Sequence, residues 1–320
     1  TNLCSEITLM TTDKRTAVCC LSSLNMEKYD EWKDTNLVAD LIRFLDNVLE
    51  YFIRLAPPQL ERAVHSAAKE RALGMGTLGF HSYLQKHRIP FESGGFGSAA
   101  QKNGQMYKKI QEQAIAESLR LGAIRGEAPD CQGSGMRNSH LMAIAPNASS
   151  SSLVPDGPVS PSIEPWNSNA FSAEGRAGSF LIRNKYLEED LEVIGQNTDE
   201  VWQSIIANNG SVQHLEFLIP ELKAVYKTAR EINPLWLVEH AATRQPYICQ
   251  SQSLNLFSGP YLTKQEMSDI HVVAWKKGVK TLYYFRAEGV GKVELGNGTT
   301  APLNAVPMKI EYNVCLSCEG

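Results

Sequence analysis

Short β-compatible apolar runs set between long stretches of helical period restrict this chain more than any other feature. RTAVCCLSSLN at 15–25, SHLMAIA at 139–145 and VKTLYYF at 279–285 each suit a strand, and YICQSQSLNLF at 247–257 a strand running into a loop. Apolar residues at Leu37, Leu41, Phe44, Leu45, Val48, Leu49 and Phe52 fall on one helix face, which predicts a helix over 37–55. Pro57-Pro58 ends it. Residues 59–73 and 104–122 read as further helices, with the Gly-rich SGGFGS at 93–98 between them. The run at 139–145 closes at Pro146 and is followed by a Ser- and Pro-rich loop over 147–165. Helices dominate 198–242, punctuated by Pro220 and Pro234, and another covers 263–277. Strands alternating with helices, without an internal repeat, predict an α/β core. Beyond Arg286 the hydrophobic period vanishes, so 1–285 reads as one α/β unit and 286–320 as a flexible tail.

Composition narrows the function classes. A net charge of −4 supplies no basic field for nucleic acid or an anionic membrane. No apolar window is long enough to span a bilayer and no signal-peptide pattern opens the chain, so a cytoplasmic location is expected. Seven scattered cysteines do not form a secreted disulfide framework; in a reducing compartment such residues are buried, metal-bound or catalytic. The chain starts at Thr1 and reaches Asn2-Leu3-Cys4 at once, which reads as an opening in the middle of a larger unit.

Four groups of residues could carry chemistry. In an extended loop Asn2, Cys4 and Glu6 point the same way, presenting an amide, a thiol and a carboxylate to one small volume; the alternative is a frayed terminus. Pro146-Asn147-Ala148-Ser149-Ser150 follows a strand with small hydroxyl-bearing residues whose backbone N–H groups can converge on a phosphate, or is a surface loop. Tyr283-Tyr284 inside a strand places one ring in a core and one outside, or stacks two oxidisable phenols. Cys315-Leu316-Ser317-Cys318 lacks the second ligand pair of a structural zinc site and suits thiol–disulfide exchange, so no metal site is expected. Gly74-Met75-Gly76-Thr77-Leu78-Gly79 matches GxGxxG, but it follows a helix and lacks the acidic residue some 20 positions on; it reads as a tight turn between helices.

These features occur in one order, and that order resembles the large subunit of class I ribonucleotide reductase. The matching stretches are NLCSEI (2–7), AVCCLSSLN (17–25), GMGTLGF (74–80), MRNSHLMAIAPNASSS (136–151), SIEPWNSN (162–169), SQSLNLF (251–257) and WKKGVKTLYY (275–284). The resemblance implies the second half of a ten-stranded α/β barrel, with a finger loop threading its centre. It implies that Cys4 becomes a thiyl radical, that Asn2 and Glu6 bind the ribose hydroxyls with Glu6 as base, and that Leu3 and Ser5 flank the substrate. By the same resemblance Cys19 is one of two cysteines that reduce the 2′ carbon, Cys20 has no role, and residues 146–150 hold the diphosphate. Asn147 stands where Ser or Thr is common in the family. Tyr283 and Tyr284 carry the radical from a small subunit to Cys4, and Cys315 and Cys318 re-reduce the active-site disulfide.

The implied function is reduction of ribonucleoside diphosphates under allosteric control. No cofactor is expected on this chain; the radical cofactor belongs to the small subunit, and thioredoxin or glutaredoxin is the reductant. The family's first half supplies the partner of Cys19, five strands and the effector site. A second polypeptide bearing that half is therefore an expected partner, beside the small subunit. The alternative is a non-catalytic assembly fragment; retention of Asn2, Cys4, Glu6 and both tyrosines favours the enzyme, and the tyrosines disfavour a cobalamin-dependent class.

Overall fold

The computed structural model describes residues 1–175, 178–259 and 262–287. The run at 15–25 narrows to strand β1 (Cys20–Asn25), where the Asn25 side chain accepts the Glu27 amide and turns the chain into a 3-10 segment at Met26–Lys28. A short helix α1 (Tyr29–Trp32) follows. Helix α2 spans Leu37–Leu55, the limits its periodicity predicts. Val38, Ile42, Leu45 and Leu49 enter the core, whereas Phe44, Val48, Tyr51 and Leu55 form an exposed stripe, so only one of its apolar faces is covered by described residues. Helix α3 (Glu61–Glu70) stops short of the predicted 73 because Arg71 turns left-handed, with φ 48°. That release lets Leu73 open a strand.

Strand β2 (Leu73–Leu78) corrects the reading of 74–79 as a tight turn between helices. It is buried along its length and pairs in parallel with β1, Cys20 opposite Leu73 through Asn25 opposite Leu78. Its glycines serve close packing. A Cβ on Gly74 would stand 2.4 Å from Leu21 Cδ2 and 2.9 Å from Cys19 Sγ, and one on Gly76 would stand 2.7 Å from the Ala143 carbonyl oxygen. Only Gly79 makes the turn, with φ 79°, leading into helix α4 (Phe80–Lys86).

Helix α5 (Ala99–Arg125), begun by the Ser98 cap, outruns the expected 104–122 and packs against α2. The run at 139–145 forms isolated parallel bridges, Met75 to Met142 and Ile144 to Gln252, in place of a full strand. Farther along, strand β5 (Leu256–Ser258) pairs in parallel with β6 (Phe285–Ala287). The Tyr283 amide donates to Leu254 O and the Leu256 amide to Tyr284 O, both at 2.9 Å. Five parallel stretches thus lie side by side, joined by helical connections as parallel neighbours require. The α/β expectation holds in this order of stretches, which is that of half a barrel.

Residues 170–226 build a separate lobe. An antiparallel hairpin of β3 (Ala170–Gly175) and β4 (Gly178–Arg183) is followed by α6 (Lys185–Val193), α7 (Asp199–Ala207) and α8 (Pro220–Val225). Its own apolar cluster centres on Trp202, Leu187, Leu191, Ile205 and Tyr226. Pro220 and Pro234 begin helices, α8 and α9 (Pro234–Arg244), where the missing N–H costs nothing. Helix α10 (Lys264–Lys276) opens with a reciprocal capping box between Thr263 and Glu266. Strand β6 runs to Ala287, two residues past the expected end of the α/β unit at 285, and Cys315 and Cys318 lie outside the described residues.

Candidate active site

The first residues fold onto the strands as a turn. Ser5 is left-handed, φ 67°, and its amide donates to Asn2 O at 3.1 Å. This corrects the extended, alternating geometry expected of residues 2–6. The cause is anchorage from outside the loop. Ser5 Oγ donates to Leu282 O at 3.2 Å, while Ser253 Oγ lies 2.5 Å from Cys4 O and 3.0 Å from Glu6 Oε2. Cys4 and Glu6 are still brought together, now around Ser253. Glu6 is buried, at 3% exposure. The Asn2 side chain turns back to accept the Ile7 amide at 3.1 Å, and Leu3 projects outward. The Ser5 hydroxyl and amide N–H are thus both engaged within the protein.

Cys4 Sγ donates to Tyr283 Oη at 3.5 Å, across 279 residues of sequence. The Tyr283 and Tyr284 rings lie 4.0 Å apart between centres, inclined by 35°. Hydrogen bonding with Tyr284 and then with Cys4 pushes the Tyr283 phenol above the ordinary tyrosine value. Tyr284 is half exposed on the far side. A thiol and two phenols therefore form one line from the surface to the loop tip.

Cys19 sits one residue before β1 and accepts Gln250 Nε2–H at 3.3 Å. Burial pushes its thiol up to about 12. Cys20 turns the other way, packing against the apolar core. Gln250 was not among the expected site residues, yet it is a junction: its Nε2 also donates to Leu73 O at 3.0 Å, and its Oε1 accepts the Thr8 amide at 3.2 Å. One signal could have found it, with Ser253 and Asn255: polar residues spaced through a stretch otherwise apolar enough to be buried.

In the loop at 146–150, Asn147 is a brace. Left-handed at φ 52°, it accepts Ser23 Oγ–H at 3.1 Å and donates to the carbonyls of Thr77 and Ala145, each at 3.1 Å. Its side chain is thus used within the protein. Ala148, Ser149 and Ser150 are exposed, and Ser150–Ser152 forms a single 3-10 turn in which the Ser151 amide donates to Asn147 O and the Ser152 amide to Ser149 O. Among the described residues no group of three His, Cys, Asp or Glu side chains is placed to hold a metal ion, and no helix is long and apolar enough to cross a membrane.

A sequence-family model described as "Ribonucleotide reductase, barrel domain" matches residues 1–134 and 129–285. A half-barrel of parallel strands with a cysteine-bearing loop folded onto it fits that description, and the chain belongs to the ribonucleotide reductase family. Within the family its relatives are large subunits. It is 47% identical over 323 residues to the ribonucleoside-diphosphate reductase large subunit of Invertebrate iridescent virus 3, covering 100% of this chain and 50% of that protein. Over 299 residues it is 48% identical to the corresponding subunit of Invertebrate iridescent virus 6, covering 92% of this chain and 31% of that one. The Actinobacillus ureae class Id ribonucleotide reductase alpha subunit superposes with a TM-score of 0.83 at 42% identity, over 90% of this chain and 53% of that chain. The chain spans between about a third and a half of the length of these relatives.

Proposed function

We propose that this chain is the C-terminal half of the catalytic subunit of a class I ribonucleotide reductase and reduces ribonucleoside diphosphates to 2′-deoxyribonucleoside diphosphates within a multi-chain enzyme. The observation that carries the reading is the line Cys4–Tyr283–Tyr284, a thiol hydrogen-bonded to the nearer of two stacked phenols. In this reading an oxidised Tyr283 takes the hydrogen atom of the Cys4 thiol, and the resulting thiyl removes the 3′ hydrogen of the ribose. Glu6 accepts the 3′-OH proton, and the 2′-OH leaves as water. Cys19 and a cysteine of the other half-barrel supply two electrons and two protons and end as a disulfide. Cys4 then returns its hydrogen to the 3′ carbon.

The burial of Cys19 supports this role, because a thiol kept protonated can give up a hydrogen together with an electron. Diphosphate binding falls to residues 146–150, through backbone N–H groups and Ser149 and Ser150; with Asn147 engaged as a brace, its part is to hold the loop's shape. Leu3 and the Ser5 backbone border the ribose. We assign the radical cofactor to a small subunit facing Tyr284, and renewal of the Cys19 disulfide to Cys315 and Cys318, reduced in turn by thioredoxin or glutaredoxin. The stripe of α2 left uncovered and the edge of β1 left unpaired among the described residues suit a second polypeptide carrying the other half-barrel. The five described cysteines are all free thiols, which fits the reducing cytoplasm.

Reconstitution tests the reading. Turnover is expected when this chain is combined with a separately expressed first half and a small subunit, and is absent when either is withheld. In the assembled enzyme Tyr283→Phe should abolish turnover with nucleotide affinity unchanged. Substantial turnover by that variant would leave the likeness as one of fold alone.

A further inference from the structure

Tyr284 is gripped by groups that the line of thiol and phenols does not itself use. Glu164, in the SIEPWNSN stretch, is buried at 5% exposure. Its Oε1 accepts Asn255 Nδ2–H at 2.5 Å, and Asn255 Oδ1 in turn accepts the amide N–H of Tyr284 at 3.1 Å. Asn255 is itself buried, at 3% exposure, and stands between the two. On the open side of the ring, the guanidinium carbon of Arg286 lies 5.2 Å from the centre of Tyr284. Arg286 is also the charged group that acts on the Glu164 carboxyl; from the other packed segment Glu164 meets the uncharged Asn255. One carboxyl therefore bears on both the backbone and the exposed face of the same tyrosine.

We propose that Glu164 is a positioning residue for Tyr284, its ionised carboxylate orienting the Asn255 amide toward the tyrosine backbone and drawing Arg286 over the tyrosine ring. The proposal rests on the reading of Tyr283 and Tyr284 as the radical path. A carboxylate only accepts hydrogen bonds, so it compels Asn255 to present its NH₂ to Glu164 and its oxygen to Tyr284. A protonated carboxyl can donate instead, which permits the amide to turn over and ends the attraction on Arg286. A cation over a phenol ring stabilises the ring's electrons and opposes loss of an electron alone. It thereby favours removal of the electron together with the phenol proton, which leaves a neutral ring. Burial raises the Glu164 carboxyl to about 7, with Asn255 and Arg286 holding it from going higher, so the switch between these two states falls near neutral pH.

The test uses the assembled enzyme and follows kcat, KM and the pH profile of ribonucleoside diphosphate reduction. The wild type should gain activity as pH rises through about 7. Glu164→Gln, which keeps the shape and one acceptor oxygen but not the charge, should lower kcat about tenfold above that pH, leave KM within twofold and erase the limb. Arg286→Gln, at an exposed position that cannot unfold the core, should move the limb to higher pH, because loss of the cation lets the carboxyl hold its proton longer. A Glu164→Gln enzyme with wild-type kcat and an unchanged limb overturns the proposal. So does an effect confined to KM, which would place Glu164 with the substrate, and so does an Arg286→Gln limb that stays in place. Tyr283→Phe run alongside separates the two levels: an active Tyr283→Phe enzyme removes the radical path, whereas an inactive one beside normal Glu164 and Arg286 variants removes only the role of Glu164.

Discussion

The centre of the half-barrel and the lobe at 170–226 are both buried, but they are filled with opposite materials. Around the loop tip the interior holds Gln250, Ser251, Gln252, Ser253 and Asn255, each at 3% exposure or less. The lobe encloses Trp202, Leu187, Leu191 and Ile205, all at 0%. Burying amides and hydroxyls is tolerable only where each finds a partner, and here Gln250 serves Cys19, Leu73 and Thr8 while Ser253 serves Cys4 and Glu6. Fixed, mutually hydrogen-bonded dipoles in a buried interior hold neighbouring groups in one geometry, which an apolar filling cannot do. The lobe shows what the same chain builds where no such geometry is wanted.

Substitutions should separate the two interiors cleanly. The largest effect is expected at Cys19→Ser, which should abolish reduction in the assembled enzyme while thermal unfolding stays close to wild type. Turnover assays beside melting curves check it, and a variant that unfolds early would make Cys19 a structural residue. Trp202→Ala should behave in the opposite sense, costing about 3–5 kcal/mol of stability with activity per folded molecule retained. Denaturant titration measures the loss, and a matching fall in kcat would show that the lobe shapes the site. Gly76→Ala tests the boundary between packing and chemistry. The added methyl meets the Ala143 carbonyl, a backbone atom that cannot swing aside, so roughly 1–3 kcal/mol should be lost; wild-type stability would mean that the strands can part freely.

The smallest effect concerns the protonation of two buried rings. His81 and His240 are fully enclosed, and burial lowers each from 6.5 to about 3. The unfolded chain therefore binds protons that the folded one refuses. The stability these neutral rings contribute is complete above about 6.5 and is lost as pH falls toward about 3. Between pH 7 and pH 6 the loss should stay under about 1 kcal/mol for each ring. Urea midpoints for wild type and His240→Gln across that interval measure it; equal slopes would mean the ring is protonated without penalty.

Legibility in the sequence follows the range of the interactions involved. Helices α2 and α10 were readable because their determinants are local: a repeating apolar face over 37–55, and a Thr263-to-Glu266 cap three residues long. Strand β2 was not, since Gly74 and Gly76 look like a turn until Cys19, Leu21 and Ala143 crowd against them. The β3–β4 hairpin, with Phe171 opposite Ile182 and Gly175 opposite Gly178, was missed because the interval between loop and helices carried no long period. Cys4 and the two tyrosines were visible through the order of motifs. Gln250 and Ser253 were not, for their partners lie more than 170 positions away, and only their place in an otherwise apolar stretch hinted at burial.

The enclosure of Cys19 has a bearing on chemical durability. Peroxides and electrophiles attack thiolates, so the rate of damage follows the ionised fraction. With the thiol raised to about 12, that fraction is on the order of one in 10,000 at pH 8. The Cys19 thiol is thereby kept from the oxidants and electrophiles that consume more readily ionised cysteines.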